Sequence, residues 1–329
     1  RDRLCATEVA LPTPAMPTFP LVGAGDLESF EGMSVLLEQE LVIAEYFNFD
    51  RFGEIVLALP LPGEDRPLQP TSVVAPGVDA NARQAQNNLR RITLDDGLTS
   101  SNPPLLRHPN GDPFSLTNRF RGGDVVSDVV GVLNYSFGLY RVQPTAGATH
   151  VPLNIRPTSP DPVGGDLKVA SFNVLNYFTT LDQGGATCGP SALGCRGADD
   201  AAELARQRVK IVAALTEVDA DIVGLIELEN NASAAIADLV DGLAAATGDT
   251  FAFVDTGTIG GDAIKVGLIY NADRVEPVGD FAVLDGSADS RFIDTKNRPV
   301  LAQTFREFAT GGRLTVAVNH LKSKGSPCT

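Results

Sequence analysis

The 329-residue sequence has no tryptophan, only four cysteines, and no lysine before Lys168. No apolar run approaches the roughly 18 residues of a membrane-spanning helix, which excludes a helical membrane protein. Basic residues are scarce: 26 Lys and Arg stand against 41 Asp and Glu, a formal net charge of −15. Such a chain cannot hold nucleic acid by its overall field, because phosphate binding needs basic surface. Any such contact needs a local basic patch or a bound cation. There is no initiator Met and no signal-peptide pattern of a basic start and an apolar core. With Arg1 first, both ends read as cut, and the missing leader does not argue for a cytoplasmic home. What is abundant is 32 Gly and 22 Pro, which implies many turns and short elements.

Cys188 and Cys195 sit seven apart in a Gly-rich loop and read as a disulfide rather than a zinc site, which would need paired CxxC spacing. Cys5 and Cys328 lie at opposite ends with no evident partner.

Residues 1–18 read as the tail of an upstream segment. Residues 19–150 carry a β pattern. Expected strands are 54–59, 91–94, and a hairpin of 125–135 with 139–142 around Phe137 and Gly138; an apolar stretch spans 33–47. Residues 71–90 and 98–120 are expected loops. Several short strands with turns between them suggest a small barrel or sandwich. Residues 151–165 contain RPTSPDPVGG and read as a linker. From 166 to 329 strands and helices alternate: a strand over 167–172, a helix capped by Asp199 or Asp200 and running to about Thr216, a strand over 221–226, a helix near 232–246, then strands at 266–270, 300–305 and 314–318. That order predicts an α/β domain. The run IVGLI (222–226) has no alternation and is expected to be buried on both faces.

Polar residues follow three apolar strands: Asn173 after VASF, Glu227 after IVGLI, Asn319 and His320 after LTVAV. Strand carboxyl ends are where α/β sheets bind ligands. An amide oxygen and a carboxylate are hard donors that suit Mg²⁺, and a nearby His can move a proton or stabilise charge on phosphate. Each alone signals little, since a strand-end Glu is usually a solvated rim residue. Arg298 to Thr329 is the most basic stretch of the chain, with five basic residues against Glu307. Arg306 and Arg313 there are read as solvated surface. Arg206, Arg208 and Lys210 lie on the polar side of the first helix, where most charge is solvated face.

The segments LKVASFNVLNYF (167–178), ADIVGLIELEN (220–230), DAIKVGLIYN (262–271), NRPVLAQTF (297–305) and VAVNHLKSKGSPC (316–328) occur in that order. Together they resemble the endonuclease/exonuclease/phosphatase superfamily, and within it secreted bacterial extracellular nucleases of the ExeM/NucH type. The resemblance implies an OB-like β-barrel domain over 19–150, followed by a truncated four-layer α/β sandwich of two packed sheets flanked by helices. It implies Mg²⁺, with Mn²⁺ or Ca²⁺ as alternatives, held by Glu227 and Asn173. It implies phosphate contacts from Arg298, Lys322 and Asn173, and a catalytic role for His320 beside Asn319. Lys324 follows in the same motif, and Asn176 fits a structural role as well. The superfamily completes its site with a Gly-Asp-x-Asn motif and a late Asp-His pair. Neither occurs here: the Gly-Asp at 279–280 lacks the Asn, and His108 and His150 lie outside the domain. The chain is therefore expected to be a fragment, inactive by itself, of a secreted metal-dependent nuclease acting on extracellular DNA or RNA, with no membrane or protein partner. Two other readings stand beside it. One is a phosphomonoesterase or lipid phosphodiesterase of the same superfamily. The other is a non-catalytic polymer-binding module, using aromatics such as Tyr46, Phe47, Tyr135, Phe137 and Tyr140, most of which are expected in the core.

Overall fold

The computed structural model describes residues 12–323. Cys5, Cys328, Lys324 and the first eleven residues of the expected tail lie outside the described residues. The chain divides into two compact units at Pro157 and Thr158.

The first unit is built on an eight-stranded sheet. Its strands are β1 (Ser34–Leu37), β2 (Leu41–Glu45), β3 (Ile55–Ala58), β4 (Arg91–Leu94), β5 (Val125–Ser127), β6 (Val129–Ser136), β7 (Leu139–Pro144) and β8 (Thr149–Val151). Their order is β1-β6-β7-β4-β3-β2-β5-β8. Only β4 and β7 pair in parallel. Leu37, Leu41, Ile43, Leu57 and Leu133 close its core. The hairpin expected around Phe137 and Gly138 is β6–β7, with both turn residues at positive φ. Asp128, also at positive φ, separates β5 from β6, where one strand was expected. Two short helices complete the unit, α1 (Phe49–Phe52) and α2 (Val78–Asn88). The second corrects the expectation of a loop over 71–90: this helix is mostly polar and buries only Ala80 and Asn87, so no apolar periodicity announces it. The expectation that most aromatics are core also fails for Tyr46, Phe47, Tyr135 and Phe137, which are exposed.

The second unit opens with β9 (Val169–Tyr177), then a two-stranded ribbon of β10 (Thr187–Cys188) and β11 (Leu193–Gly194). Next come α3 (Ala201–Val218), β12 (Ile222–Glu229), α4 (Ala234–Thr247), β13 (Phe251–Phe253), β14 (Ile264–Asn271), β15 (Val275–Pro277), β16 (Ala282–Leu284), β17 (Arg298–Glu307) and β18 (Arg313–His320). The Asp200 carboxylate accepts a hydrogen bond from the Glu203 amide, and the Glu203 carboxylate accepts one from the Asp199 amide, so the start of α3 is capped reciprocally.

One sheet has the order β13-β14-β12-β9; the other joins β15, β17 and β16, with β18 on the far side of β17. β9 and β12 run parallel through the α3 crossover, while β14 returns antiparallel. The alternating α/β order thus resolves into a mixed α+β sheet with one parallel pair. The helices α3 and α4 cover one face of the first sheet through Ile211, Leu215, Leu239 and Leu243. The other face meets the second sheet through Ile222, Val266, Leu268, Leu301, Phe305 and Val318. The IVGLI strand lies between these layers, with Ile222, Val223 and Leu225 buried on its two sides. At Gly224 the layers come so close that a Cβ would lie 2.9 Å from a Val318 methyl. Among the described residues the unit is helices, sheet and sheet.

Candidate active site

The site forms where β9 and β12 end side by side. Asn173 stands opposite Ile226, and the pairing resumes only at Leu228 with Tyr177. Three residues of β9 therefore bulge against Glu227 alone. Leu175, Asn176 and Glu227 all have positive φ, a region that non-glycine residues rarely adopt and that tends to accompany function. Gln207 of α3 secures the bulge by donating to the carbonyls of Val174 and Leu175, at 3.2 and 2.8 Å.

The bulge aims two groups at one carboxylate. The Asn173 side-chain amide donates to Glu227 Oε1 at 2.9 Å, and the Asn176 backbone N–H donates to Oε2 at 3.2 Å. Asn173 Oδ1 accepts from the Leu175 N–H, which sets the orientation of its amide. The two glutamates of ELEN have different fates. Glu229 is buried and accepts from the Thr179 and Thr180 amides and from Asn231, so it holds a loop. Glu227 faces a cleft of about 470 Å³.

The second sheet contributes the opposite wall. Arg298 of β17 and His320 of β18 are cross-strand partners, and both line the cleft. His320 Nε2 stands 3.8 Å from Glu227 Oε1; its Nδ1 is buried with no hydrogen-bond partner among the described residues. Burial, reinforced by the charge of Arg298, holds the imidazole below its ordinary range; Glu227 and Asp262 oppose this without reversing it. Lys322 lines the same cleft, its backbone N–H bonded to Asn297 Oδ1 at 3.0 Å.

Two site residues escape the sequence reading. Asp262 Oδ2 pairs with Arg298 Nη2 at 2.7 Å, and its Oδ1 with Arg196 Nη2 at 2.5 Å. Burial alone would raise this carboxyl, but Arg298 and Arg196 outweigh it and keep it below the usual range. The expected disulfide is present: Cys188 and Cys195 are bonded, with Cα atoms 5.1 Å apart. It holds Arg196, the next residue, beside Asp262. The clue was adjacency to a constrained cysteine, which carries no weight until the loop has somewhere to dock.

The structure brings Glu227, Asn173, His320, Arg298 and Lys322 to one place. It does not bring Asn319. That side chain is exposed and bonds back to the Ala317 carbonyl, because successive residues of a strand point to opposite faces and His320 takes the inward one. A catalytic Asn319 is not supported by this placement.

A divalent cation fits the residues within limits. No group of three or more His, Cys, Asp or Glu residues suited to hold a metal occurs among the described residues. Glu227 offers one carboxylate, and the Asn173 amide presents its nitrogen rather than its oxygen to it; so few protein donors suit Mg²⁺, which keeps most of its waters, and not Zn²⁺ or a closed Ca²⁺ cage.

The family described as "Domain of unknown function (DUF8508)" matches residues 23–153. No curated protein matches the chain. Among solved structures, the chain is similar to ANGEL2, a 2′,3′-cyclic phosphatase seen in complex with adenosine-2′,3′-vanadate. That match has 14% identity and a TM-score of 0.27, over 35% of this chain and 32% of that one. It is also similar to an endonuclease/exonuclease/phosphatase family protein from Bacteroides thetaiotaomicron, with 16% identity and a TM-score of 0.32, over 48% of this chain and 51% of that one. The chain thus spans about a third and about half the length of these two proteins. At those scores neither similarity bears on the reaction, and the reading below rests on the geometry of the cleft.

Proposed function

We propose that the second unit belongs to the endonuclease/exonuclease/phosphatase superfamily, in its secreted nuclease branch, and that its cleft hydrolyses nucleic-acid phosphodiesters with a divalent cation. One observation carries the reading: a carboxylate, an imidazole and an arginine from three strands converge on a single cleft, and the Asn173 amide is hydrogen-bonded to that carboxylate. Glu227, with Asn173 beside it, would hold the cation. When bound, a cation there polarises a phosphoryl oxygen toward attack by water. Arg298, braced by Asp262, and Lys322 bind the phosphate oxygens and stabilise charge as it develops on them. His320, uncharged near neutral pH, would donate a ring N–H hydrogen bond to a phosphate oxygen and stabilise charge as it develops there. DNA is the proposed substrate, with RNA as a second, because the cleft's cations sit in an otherwise acidic chain. The first unit is proposed as the OB-like domain that precedes the catalytic one, after a linker over 151–165. The disulfide supports an oxidising, extracellular setting.

Plasmid nicking in saturating Mg²⁺ tests this on the complete natural protein that carries this sequence. Glu227→Gln is expected to lower the rate at least a hundredfold, and to weaken Mn²⁺ binding by this chain, read by electron paramagnetic resonance. Nicking that survives the substitution overturns the reading. Faster turnover of p-nitrophenyl phosphate or phospholipid than of plasmid would move it to the phosphomonoesterase or lipid branch.

A further inference from the structure

Beside the candidate site lies a second cleft of about 490 Å³, which shares Asn176 and Arg196 with the first. It lies between the β9 bulge and α3, and it also contains Arg206 and Lys210, four residues apart and so neighbours on the helix surface. These three cations face one carboxylate, Glu203. That carboxylate already accepts from the Asp199 amide and stands 3.9 Å from Arg206. Lys210 makes no ion pair or hydrogen bond among the described residues, and both it and Arg206 are exposed. Among the described residues, only Nη2 of the Arg196 guanidinium is hydrogen-bonded; the side chain is 42% exposed, so further N–H donors are available to a ligand. In a chain of net charge −15, a concave surface with surplus positive charge, continuous with the candidate site, is an electrostatic exception.

We propose that this second cleft binds another backbone phosphate of the nucleic-acid strand whose scissile phosphate lies at Glu227 and Arg298. The inference rests on the function proposed above and deepens it: the ligand is a polyanionic strand of several nucleotides, not a lone phosphate ester. Arg196 is the shared wall. The disulfide and Asp262 fix its position, so a strand leaving the first cleft passes a guanidinium already in place. Gln207 keeps the floor rigid by holding the β9 bulge to the same helix that carries Arg206 and Lys210. Binding at Arg196 spends little energy on ordering a side chain, whereas the exposed Arg206 and Lys210 must be ordered by the ligand.

The test is fluorescence anisotropy of a labelled 15-nucleotide single-stranded DNA, in EDTA, across a salt series. Three variants are compared with the parent chain: Arg206→Glu with Lys210→Glu, Arg298→Ala, and Arg51→Glu with Arg66→Glu. The last matches the first in charge change but lies in the other unit. Circular dichroism checks that each variant is folded; all four reversed side chains are exposed or half-exposed. The shelf reversal is expected to weaken binding at least tenfold beyond the charge-matched control. It is also expected to flatten the log–log salt slope by about 0.7 for each phosphate that the shelf no longer neutralises. If it behaves like the control while Arg298→Ala weakens binding, the shelf is overturned and the site reading stands. If the shelf reversal weakens binding and Arg298→Ala does not, the shelf stands and the site reading falls. If the parent chain binds no DNA at low salt, both fall.

Discussion

Lys265 shows how a single residue sets a pH response. It is 3% exposed, and its ammonium donates to the carbonyls of Ala232 and Gly257 and to Thr256 Oγ1. Burial nevertheless pushes its pKa down to about 8. Between that value and the ordinary 10.5, the unfolded chain holds the proton and the folded chain does not, so stability rises with pH across that window. From pH 8 to 9.5 the gain is about 2 kcal/mol, at roughly 1.4 kcal/mol per unit. Urea unfolding of the parent and of Lys265→Met should differ in slope over that range. Parallel curves would show that Lys265 does not titrate there. Glu229 acts through its hydrogen bonds instead. Glu229→Ala removes the acceptor of two backbone amides and the Asn231 amide, and is expected to cost about 3 kcal/mol in urea unfolding. Glu229 and Glu227 are indistinguishable as letters of ELEN. The role proposed for Glu227 was legible only because this residue ends an apolar strand within an ordered set of motifs.

At the scale of elements, the disulfide ribbon and the packed sheets make separate demands. Gly189 lets the ribbon lie on the 262–263 backbone: its φ is +70°, and a Cβ there would stand 2.6 Å from the Ala263 Cα. Cys188→Ser with Cys195→Ser is expected to lose about 2 to 3 kcal/mol, the entropy of a short closed loop, and to release Arg196 from Asp262. A thermal melt unchanged from the parent's would show that docking alone holds the ribbon. Gly224→Val is expected to lower stability by roughly 1–3 kcal/mol, because the sheets have no room for a side chain at their closest approach. Wild-type unfolding in that variant would show that the second sheet can shift. The long strands and both helices of the second unit were readable from apolar runs and caps such as Asp200, but the two- and three-residue strands β10, β11, β13, β15 and β16 were too short to leave a pattern. The helix α2 was not readable, since it buries too little to leave a pattern, and neither was the antiparallel return of β14, since periodicity carries no strand direction.

For the whole molecule, the consequential feature is the division at residues 157 and 158. The stretch 152–166 is exposed and contains no strand or helix. Brief digestion with proteinase K is expected to cut there first and to yield two resistant fragments of near-equal size. First cuts inside either unit would contradict this, because paired backbone resists a protease more than an exposed connection does. The net charge of −15 belongs to this scale too: any strand of nucleic acid must approach against the general field and be held by the local cations around Glu227 and Lys210.

The sequence by itself determined what is local or repeated: the long strands and the helices of the second unit, the β character of the first, the pairing of Cys188 with Cys195, and the strand ends where Asn173, Glu227 and His320 would stand. Residue order and apolar periodicity suffice for those. Only the tertiary structure decided which of these ends meet, because the site joins residues from 22 to almost 150 positions apart. It also set Asn319 aside, drew in Arg196 and Asp262, and put Lys210 beside the cleft. Those outcomes depend on strand register, on a bulge that redirects one carboxylate, and on where a disulfide loop comes to rest.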